Sequence, residues 1–420
     1  MTARSSVDDR LAAAGLPPLP RTAWLEIDLD RLRGNLAAFR ATVPAGVRIE
    51  PVVKADAYGH GAVEVARALE AAGADGFSVA AFDEAVELRV AGIRAPILCL
   101  YAVPPAVVPA AMRLGVAVAA SGEDLLERMV AAAGVAWQGR AGPRPRRALR
   151  IHLDVETGLG RAGLEPDRVA AAARRLGASP GVRLAGIWSH IQQADDRPRT
   201  AGQDARFELA LGRLAEALRR PPLRHLAASA GLLGRVVPAY DAVRIGLATY
   251  GIVPDDVPAD AVNRAPAADI RPILSLHARP VRVADLPTGT GISYGPTFTT
   301  ARPSRIATLP LGYGDGLSRA LSNRAEALVR GHRVPLVGNV AMDAVMVDVT
   351  DVPGRPVTVD DEFVLLGTQG GQTIALEDLA RLRTTNTWET VTALSRRLPR
   401  VYHAAAVPVA TRSLALWRDR

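Results

Sequence analysis

The sequence predicts an α/β chain, a (β/α)8 TIM-type barrel followed by a mainly β carboxyl-terminal domain. Three observations carry that prediction. Eight short Val/Ile/Leu-rich segments alternate with longer helical patterns up to residue 246. A Pro/Asp-rich stretch, 254–266, then interrupts the rhythm. Beyond residue 271 short, turn-bounded apolar runs follow one another without helices between them.

The strand-like pieces are 49–54, 76–80, 96–100, 116–120, 148–154, 183–190, 223–229 and 242–246. Helical patterns lie near 61–73, 82–91, 104–113, 122–133, 165–176, 201–219 and 230–234. A doubly wound sheet shares this rhythm, but no G-x-G-x-x-G opens a helix after the first strand. In the second half the strand-like runs are 273–278, 304–310, 333–337, 344–349 and 362–366, and a helix-like segment spans 387–397. The division read from this pattern is a tail over 1–20, a barrel over 21–265 and a β domain over 266–420.

Composition narrows the class. With 49% hydrophobic and 22% charged residues the chain is an ordinary globular one. The longest apolar candidate, 102–112, is broken by prolines, which excludes a membrane helix there. Arg4, Asp8, Asp9 and Arg10 leave the first twenty residues without a signal-peptide core. Cys99 is the only cysteine, so neither an internal disulfide nor a cysteine-based zinc cluster is available, no metal is expected, and the location expected is cytoplasmic. The net charge of +8 is scattered apart from Arg144, Arg146, Arg147 and Arg150. With aromatics at 4%, that cluster reads as a solvated loop rather than a nucleic-acid face.

The basic residues divide unevenly: fifty arginines and one lysine, Lys54. An amine can lose its proton and form an imine with a carbonyl, which a guanidinium cannot. Lys54 ends the apolar run Pro51-Val52-Val53 and precedes Ala-Asp-Ala-Tyr-Gly-His-Gly, a strand entering a glycine-bearing loop.

Active sites of such barrels lie at the carboxyl ends of the strands. There the assignment places Lys54, Asp154 followed by Thr157-Gly158-Leu159-Gly160-Arg161, His190, Ser229, and Arg244 with Gly246. Singly these have plain readings: a core histidine, a serine capping the helix at Ala230, an arginine that needs a buried partner. Together, an amine, a hydroxyl, a glycine and an arginine are what a phosphorylated aldehyde cofactor, pyridoxal phosphate, requires.

Over residues 21 to 404 the chain resembles the alanine racemase family, pyridoxal-phosphate enzymes with a barrel and a β domain. The resemblance rests on Trp24-Leu-Glu-Ile-Asp-Leu with Asn35, Val53-Lys54-Ala55-Asp56-Ala57-Tyr58-Gly59-His60-Gly61 and Thr157-Gly158-Leu159-Gly160-Arg161. It continues through Ser189-His190, Ala194-Asp195, Arg244-Ile245-Gly246-Leu247 and Tyr250-Gly251. The β domain adds Ser293-Tyr294-Gly295, Gly312-Tyr313-Gly314-Asp315-Gly316, Met342-Asp343, Glu389 and Arg396-Arg397-Leu398-Pro399-Arg400.

The resemblance implies Lys54 as the Schiff-base lysine and base on one face of the substrate α-carbon. It implies Tyr294 as the acid/base on the other face, reaching the site from the second subunit of a homodimer. Arg244 is expected to face the pyridine nitrogen with His190 behind it. Tyr58, Ser229, Gly246 and Leu247 are expected near the cofactor phosphate, Arg161 and Met342 at the substrate carboxylate, and Tyr313 at the entrance. Three positions depart from the family. Asp154 stands where a lysine, often carbamylated, is usual, and would supply negative charge for Arg161 from farther back. Ala228 replaces an asparagine. Trp388 replaces a pocket tyrosine that bonds the phosphate.

The expectation is a two-base alanine racemase. An alternative keeps the fold and cofactor but racemises, epimerises or cleaves another small amino acid. A decarboxylase would place an acid rather than Arg244 beside the ring nitrogen. A non-catalytic pyridoxal-phosphate carrier would lack the β domain.

Overall fold

The computed structural model describes residues 6–139, 147–218 and 220–415. Arg4, Arg144 and Arg146 lie outside the described residues. The chain divides into two units: Arg31–Ala57 with Val65–Arg271, and Met1–Asp30 with Tyr58–Glu64 and Pro272–Arg420.

The first unit is the barrel. Six parallel strands run in chain order, Phe77–Val79, Ile97–Cys99, Val116–Ala120, Leu149–Asp154, Val182–Trp188 and Leu223–His225. Arg48–Ile49 pairs in parallel with Ala242–Val243. Parallel bridges Val52↔Ser78 and Ala228↔Arg244 join that pair to both ends of the six, so eight strands close on themselves. Strands buried on both faces read as continuous apolar runs, as Val116–Ala120 does throughout its length.

Two strands break that rule at every second residue. Arg48 and Glu50 alternate along one, and Arg150, His152 and Asp154 along another. With the strand period of two, each series shares one face and climbs from the start of its strand toward the carboxyl end.

The helices between the strands match the sequence pattern closely, for example Phe82–Val90 and Glu123–Trp137. Among the helices of this unit Leu29–Thr42 was not expected. The Asn35 side-chain amide, in its middle, ties it down. Its Nδ2 donates to the carbonyls of Thr249 (3.1 Å) and Arg271 (3.0 Å), and its Oδ1 accepts the Arg271 N–H.

The second unit is an eleven-stranded sheet. Ala23–Asp28, assigned by sequence to the barrel stretch, is instead one of its strands. It lies between Leu274–Ala278, antiparallel, and Arg400–Ala404, parallel. Nor are residues 6–20 only a tail. Val7–Ala13 is a helix closed by a Ser6/Asp9 capping box, and its Val7 and Leu11 pack with Trp24 and Val401. The helix expected over 387–397 is shorter, Thr387–Thr392. Strands Arg282–Leu286, Glu326–Val329 and Val407–Arg412 add to those the sequence outlined. Among the described residues no helix is long and apolar enough to cross a membrane.

Candidate active site

The barrel brings Lys54, Asp154, Arg161, His190 and Arg244 within electrostatic reach of one another. Lys54 is half-buried, and its amine has no hydrogen bond or ion pair among the described residues. Burial, then the Arg161 and Arg244 charges, lower its pKa against the opposing pull of Glu84. Burial and the same two arginines hold His190 down to about 3, so its imidazole is neutral.

The chain leaving Lys54 makes a left-handed turn. Ala55, Asp56, Ala57 and Tyr58 all have φ between 50° and 57°, a region that costs an L-residue roughly 1–2 kcal/mol each. Glu84 secures its start: one carboxylate oxygen accepts the Ala55 N–H at 2.6 Å, the other those of Ala80 (2.7 Å) and Ala81 (3.1 Å). Strain held this way fixes the direction in which Lys54 leaves its strand.

Arg244 is 2% exposed. Its Nη1 donates to His225 Nδ1 (2.7 Å) and to the His225 carbonyl (2.9 Å). Nη2 donates to the carbonyls of Ser189 (2.7 Å) and Leu226 (3.2 Å). Those bonds use four of its five N–H groups, and Nε–H has no partner among the described residues. The guanidinium also lies 4.8 Å from the centroid of the Trp188 ring. Burial lowers its pKa to about 10, which leaves it charged at neutral pH.

The histidine behind Arg244 is therefore His225, not His190. Accepting from Arg244 at Nδ1 obliges a neutral His225 to carry its proton on Nε2. That proton points at Nδ1 of His152, 2.8 Å away. Both rings are kept neutral, burial being the largest cause and Arg244 and other arginines adding to it; His152 is held to about 3. The His152 ring fills the space above Gly186, where any Cβ would collide with it. Sequence reasoning missed both histidines. The signal available was a polar residue at alternate positions of a strand otherwise apolar on both faces.

Ser229 is the first residue of the helix Ser229–Leu233 rather than its cap, which is Ala228. Its Oγ accepts the Gly246 N–H at 2.9 Å, which leaves its own O–H free to donate toward an anion. Gly246 leads directly into the short helical turn Leu247–Tyr250. Around Thr157 a chain of donors runs from Gln203 to Thr157, from Thr157 to Ser189 and from Ser189 to the Val155 carbonyl. Glu156 accepts the N–H groups of Gly158 and Gly160 and shapes the loop to Arg161. Arg161 is exposed, stacks 5.6 Å over Tyr101, and has no carboxylate partner among the described residues. Asp154 thus acts on Arg161 by charge alone, and burial raises its own pKa to about 7. Cys99, its thiol pushed up to about 12 by burial, is not a nucleophile at neutral pH.

In the β unit the expected residues share a rim. Asn339 Nδ2 donates to the carbonyls of Tyr294 (2.9 Å) and Gly295 (3.1 Å). Two and three residues on, the carbonyls of Ala341 and Met342 accept from Tyr313 and Gly314, each at 3.0 Å. The rim presents Tyr294 81% exposed, with Tyr313 and Met342 about half exposed. Asp343 and Asp315 both pair with Arg397 behind it. Trp388 is half-buried on Thr387–Thr392, and Tyr58 is buried with its carbonyl 3.0 Å from His60 Nδ1.

These arrangements have counterparts in known proteins. Residues 27–254 match the family model "Alanine racemase, N-terminal domain", and residues 273–402 match "Alanine racemase, C-terminal domain". An alanine racemase of Symbiobacterium thermophilum is 44% identical over 91% of this chain and 97% of its own. The crystal structure of alanine racemase from Bacillus anthracis superposes with a TM-score of 0.85 at 32% identity, covering 94% of this chain and 99% of that one. A histidine racemase from Leuconostoc mesenteroides also shares the fold, with a TM-score of 0.80 at 27% identity over 92% and 99% of the two chains. Matched in both its domains and along nearly all of its length, the chain belongs to the alanine racemase family.

Proposed function

We propose that this chain is a pyridoxal-phosphate-dependent alanine racemase, a cytoplasmic homodimer whose two bases are Lys54 and Tyr294. The observation that carries the reading is the state of the only lysine. Its amine has no partner among the described residues, is lowered in pKa and lies within the field of two arginines at the barrel mouth. More of such an amine is unprotonated at neutral pH, as attack on an aldehyde requires.

The surrounding groups fit the cofactor. Arg244 Nε–H is the donor left over for a ring nitrogen, and a guanidinium still charged up to about 10 would keep that nitrogen unprotonated. The Ser229 hydroxyl, with Gly246 and Leu247 beside it, would hold the phosphate, together with Tyr58. Pyridoxal phosphate, when bound, supplies the electron withdrawal that acidifies the hydrogen on an amino acid's α-carbon. Lys54 Nζ would hold that proton on one face, and the Tyr294 hydroxyl would exchange one on the other. Arg161, with the backbone of Met342, would bind the substrate carboxylate, and Tyr313 would line the entrance. The 81% exposure of Tyr294 supports its working in a partner subunit, since a catalytic hydroxyl needs enclosure from water.

A second reading, racemisation of a different amino acid, draws on Trp388, whose indole changes the pocket volume, and on the histidine racemase that shares the fold. The β unit argues against a single-barrel carrier. Turnover of the cofactor-loaded protein across a panel of single-enantiomer amino acids is the test. Interconversion of L- and D-alanine well above all others supports the proposal, and a preference for another side chain selects the second reading.

A further inference from the structure

The opposite end of the barrel holds a cavity of about 140 Å³, a size that in engineered cavities admits a benzene-sized guest. It opens where the strands begin. Arg48, Arg150 and Arg183 line it, at the starts of Arg48–Ile49, Leu149–Asp154 and Val182–Trp188. Their charge is poorly balanced. Arg48 pairs with Glu50 at 3.0 Å. Among the described residues the Arg150 side chain donates only to the Gly115 carbonyl, at 2.7 Å. The Arg183 side chain has no hydrogen bond among the described residues, and neither Arg150 nor Arg183 has a carboxylate within ion-pair distance there.

Glu50, the one acid lining the cavity among the described residues, is 4% exposed, and burial opposes its ionisation. Burial and the like charges of Arg147, Arg183 and Arg48 in turn lower the pKa of Arg150. Phe77, Ile97 and Leu98 form apolar walls on its inner side, while Arg183 is exposed at its opening. Like-charged guanidinium groups around one cavity repel one another, and an anion between them offsets that repulsion. Of the cluster Arg144, Arg146, Arg147 and Arg150, read from sequence as a solvated loop, Arg150 belongs instead to the strand Leu149–Asp154 and lines the cavity.

We propose that this floor of the barrel is a binding site for a phosphate-type oxyanion, held between Arg48, Arg150 and Arg183. Three planar forks around one compact cavity suit a tetrahedral anion with several acceptors. Chloride offers a single charge and no directed acceptor, so it binds more weakly.

The test is calorimetric titration of the cofactor-loaded protein with inorganic phosphate, beside chloride at equal ionic strength to remove general screening. Loading fills the phosphate cradle at the mouth, and the double variant separates binding at the floor from binding at Arg161. The expected result is saturable binding of one phosphate per chain, weakened at least about tenfold in Arg150→Gln/Arg183→Gln. Glu50→Gln removes the carboxyl that competes with the anion for Arg48 and tightens binding severalfold. No saturable heat beyond that of chloride, or an unchanged affinity in the double variant, overturns the proposal. Should the double variant fail to fold, Glu50→Gln decides, and phosphate affinity unchanged or weakened by it is equally fatal.

Discussion

Nη1 of Arg244 lies 2.7 Å from Nδ1 of His225, so a buried cation is solvated by a neutral ring and not by a carboxylate. Three backbone carbonyls complete its shell and leave Nε–H open. A carboxylate in place of the ring would neutralise the guanidinium, whereas a neutral acceptor leaves the full positive charge at the site. His225→Leu is therefore expected to destabilise the fold by about 1–3 kcal/mol, the cost of an unsatisfied buried donor. The midpoint of urea unfolding measures it. An unchanged midpoint would show that the carbonyls alone suffice.

Because Lys54 is the only lysine, cofactor attachment has an unambiguous signature. Borohydride reduction of the loaded protein should place the label on the peptide containing Lys54. Lys54→Arg should lose covalent attachment and reduce turnover by at least roughly 10²–10⁴-fold. Label found solely at the amino terminus would contradict the assignment.

If Tyr294 serves the second face from a partner subunit, two inactive chains should repair each other. Mixing Lys54→Ala with Tyr294→Phe should restore part of the activity, in mixed dimers verified by mass. Tyr294→Phe alone should slow solvent-deuterium exchange at the α-carbon for one enantiomer by roughly 10²–10⁴-fold. Equal slowing of both enantiomers would sink the two-base assignment.

Asp154 makes stability depend on pH in a defined direction. Its carboxyl titrates near 3.9 in an unfolded chain and is pushed by burial to about 7 in the folded one. Between those values the folded chain keeps a proton that the unfolded chain has lost. Stability therefore falls as pH rises through the window and levels off above about 7. Relative to Asp154→Asn, the wild type should lose up to roughly 4 kcal/mol across it. Urea unfolding of both chains at several pH values gives the difference, and a flat difference would place the carboxyl in contact with water.

Trp388 sets the last expectation. A tyrosine hydroxyl reaching a phosphate would add a charge-assisted bond worth roughly 1.5–3 kcal/mol. Trp388→Tyr should slow cofactor loss during dialysis and shift the substrate panel toward alanine. If neither changes, the indole points away from the site.

Local pattern was a good guide wherever neighbours in sequence decide the structure. The segment read as a strand over 116–120 is the strand Val116–Ala120, and the patterns at 82–91 and 122–133 are helices within a few residues. Leu29–Thr42 was not among the helical patterns read, and its Asn35 amide meets carbonyls more than two hundred residues away. Nothing local reveals that.

Sequence by itself determined the alternation that makes a barrel, the single amine, and the order of short motifs around it. Each depends on residue type and spacing along the chain. The tertiary structure alone decided that Ala23–Asp28 joins the β sheet, because its partners, 274–278 and 400–404, are distant in sequence. It alone put His225 rather than His190 against Arg244, since hydrogen bonds follow geometry and both histidines lie at or beyond the end of a strand. It alone set Asp154 near about 7 and lowered Lys54, because a pKa is governed by burial and by charges in space. Chemistry-bearing residues are chosen along the chain, but their protonation and their partners are fixed only when the barrel closes.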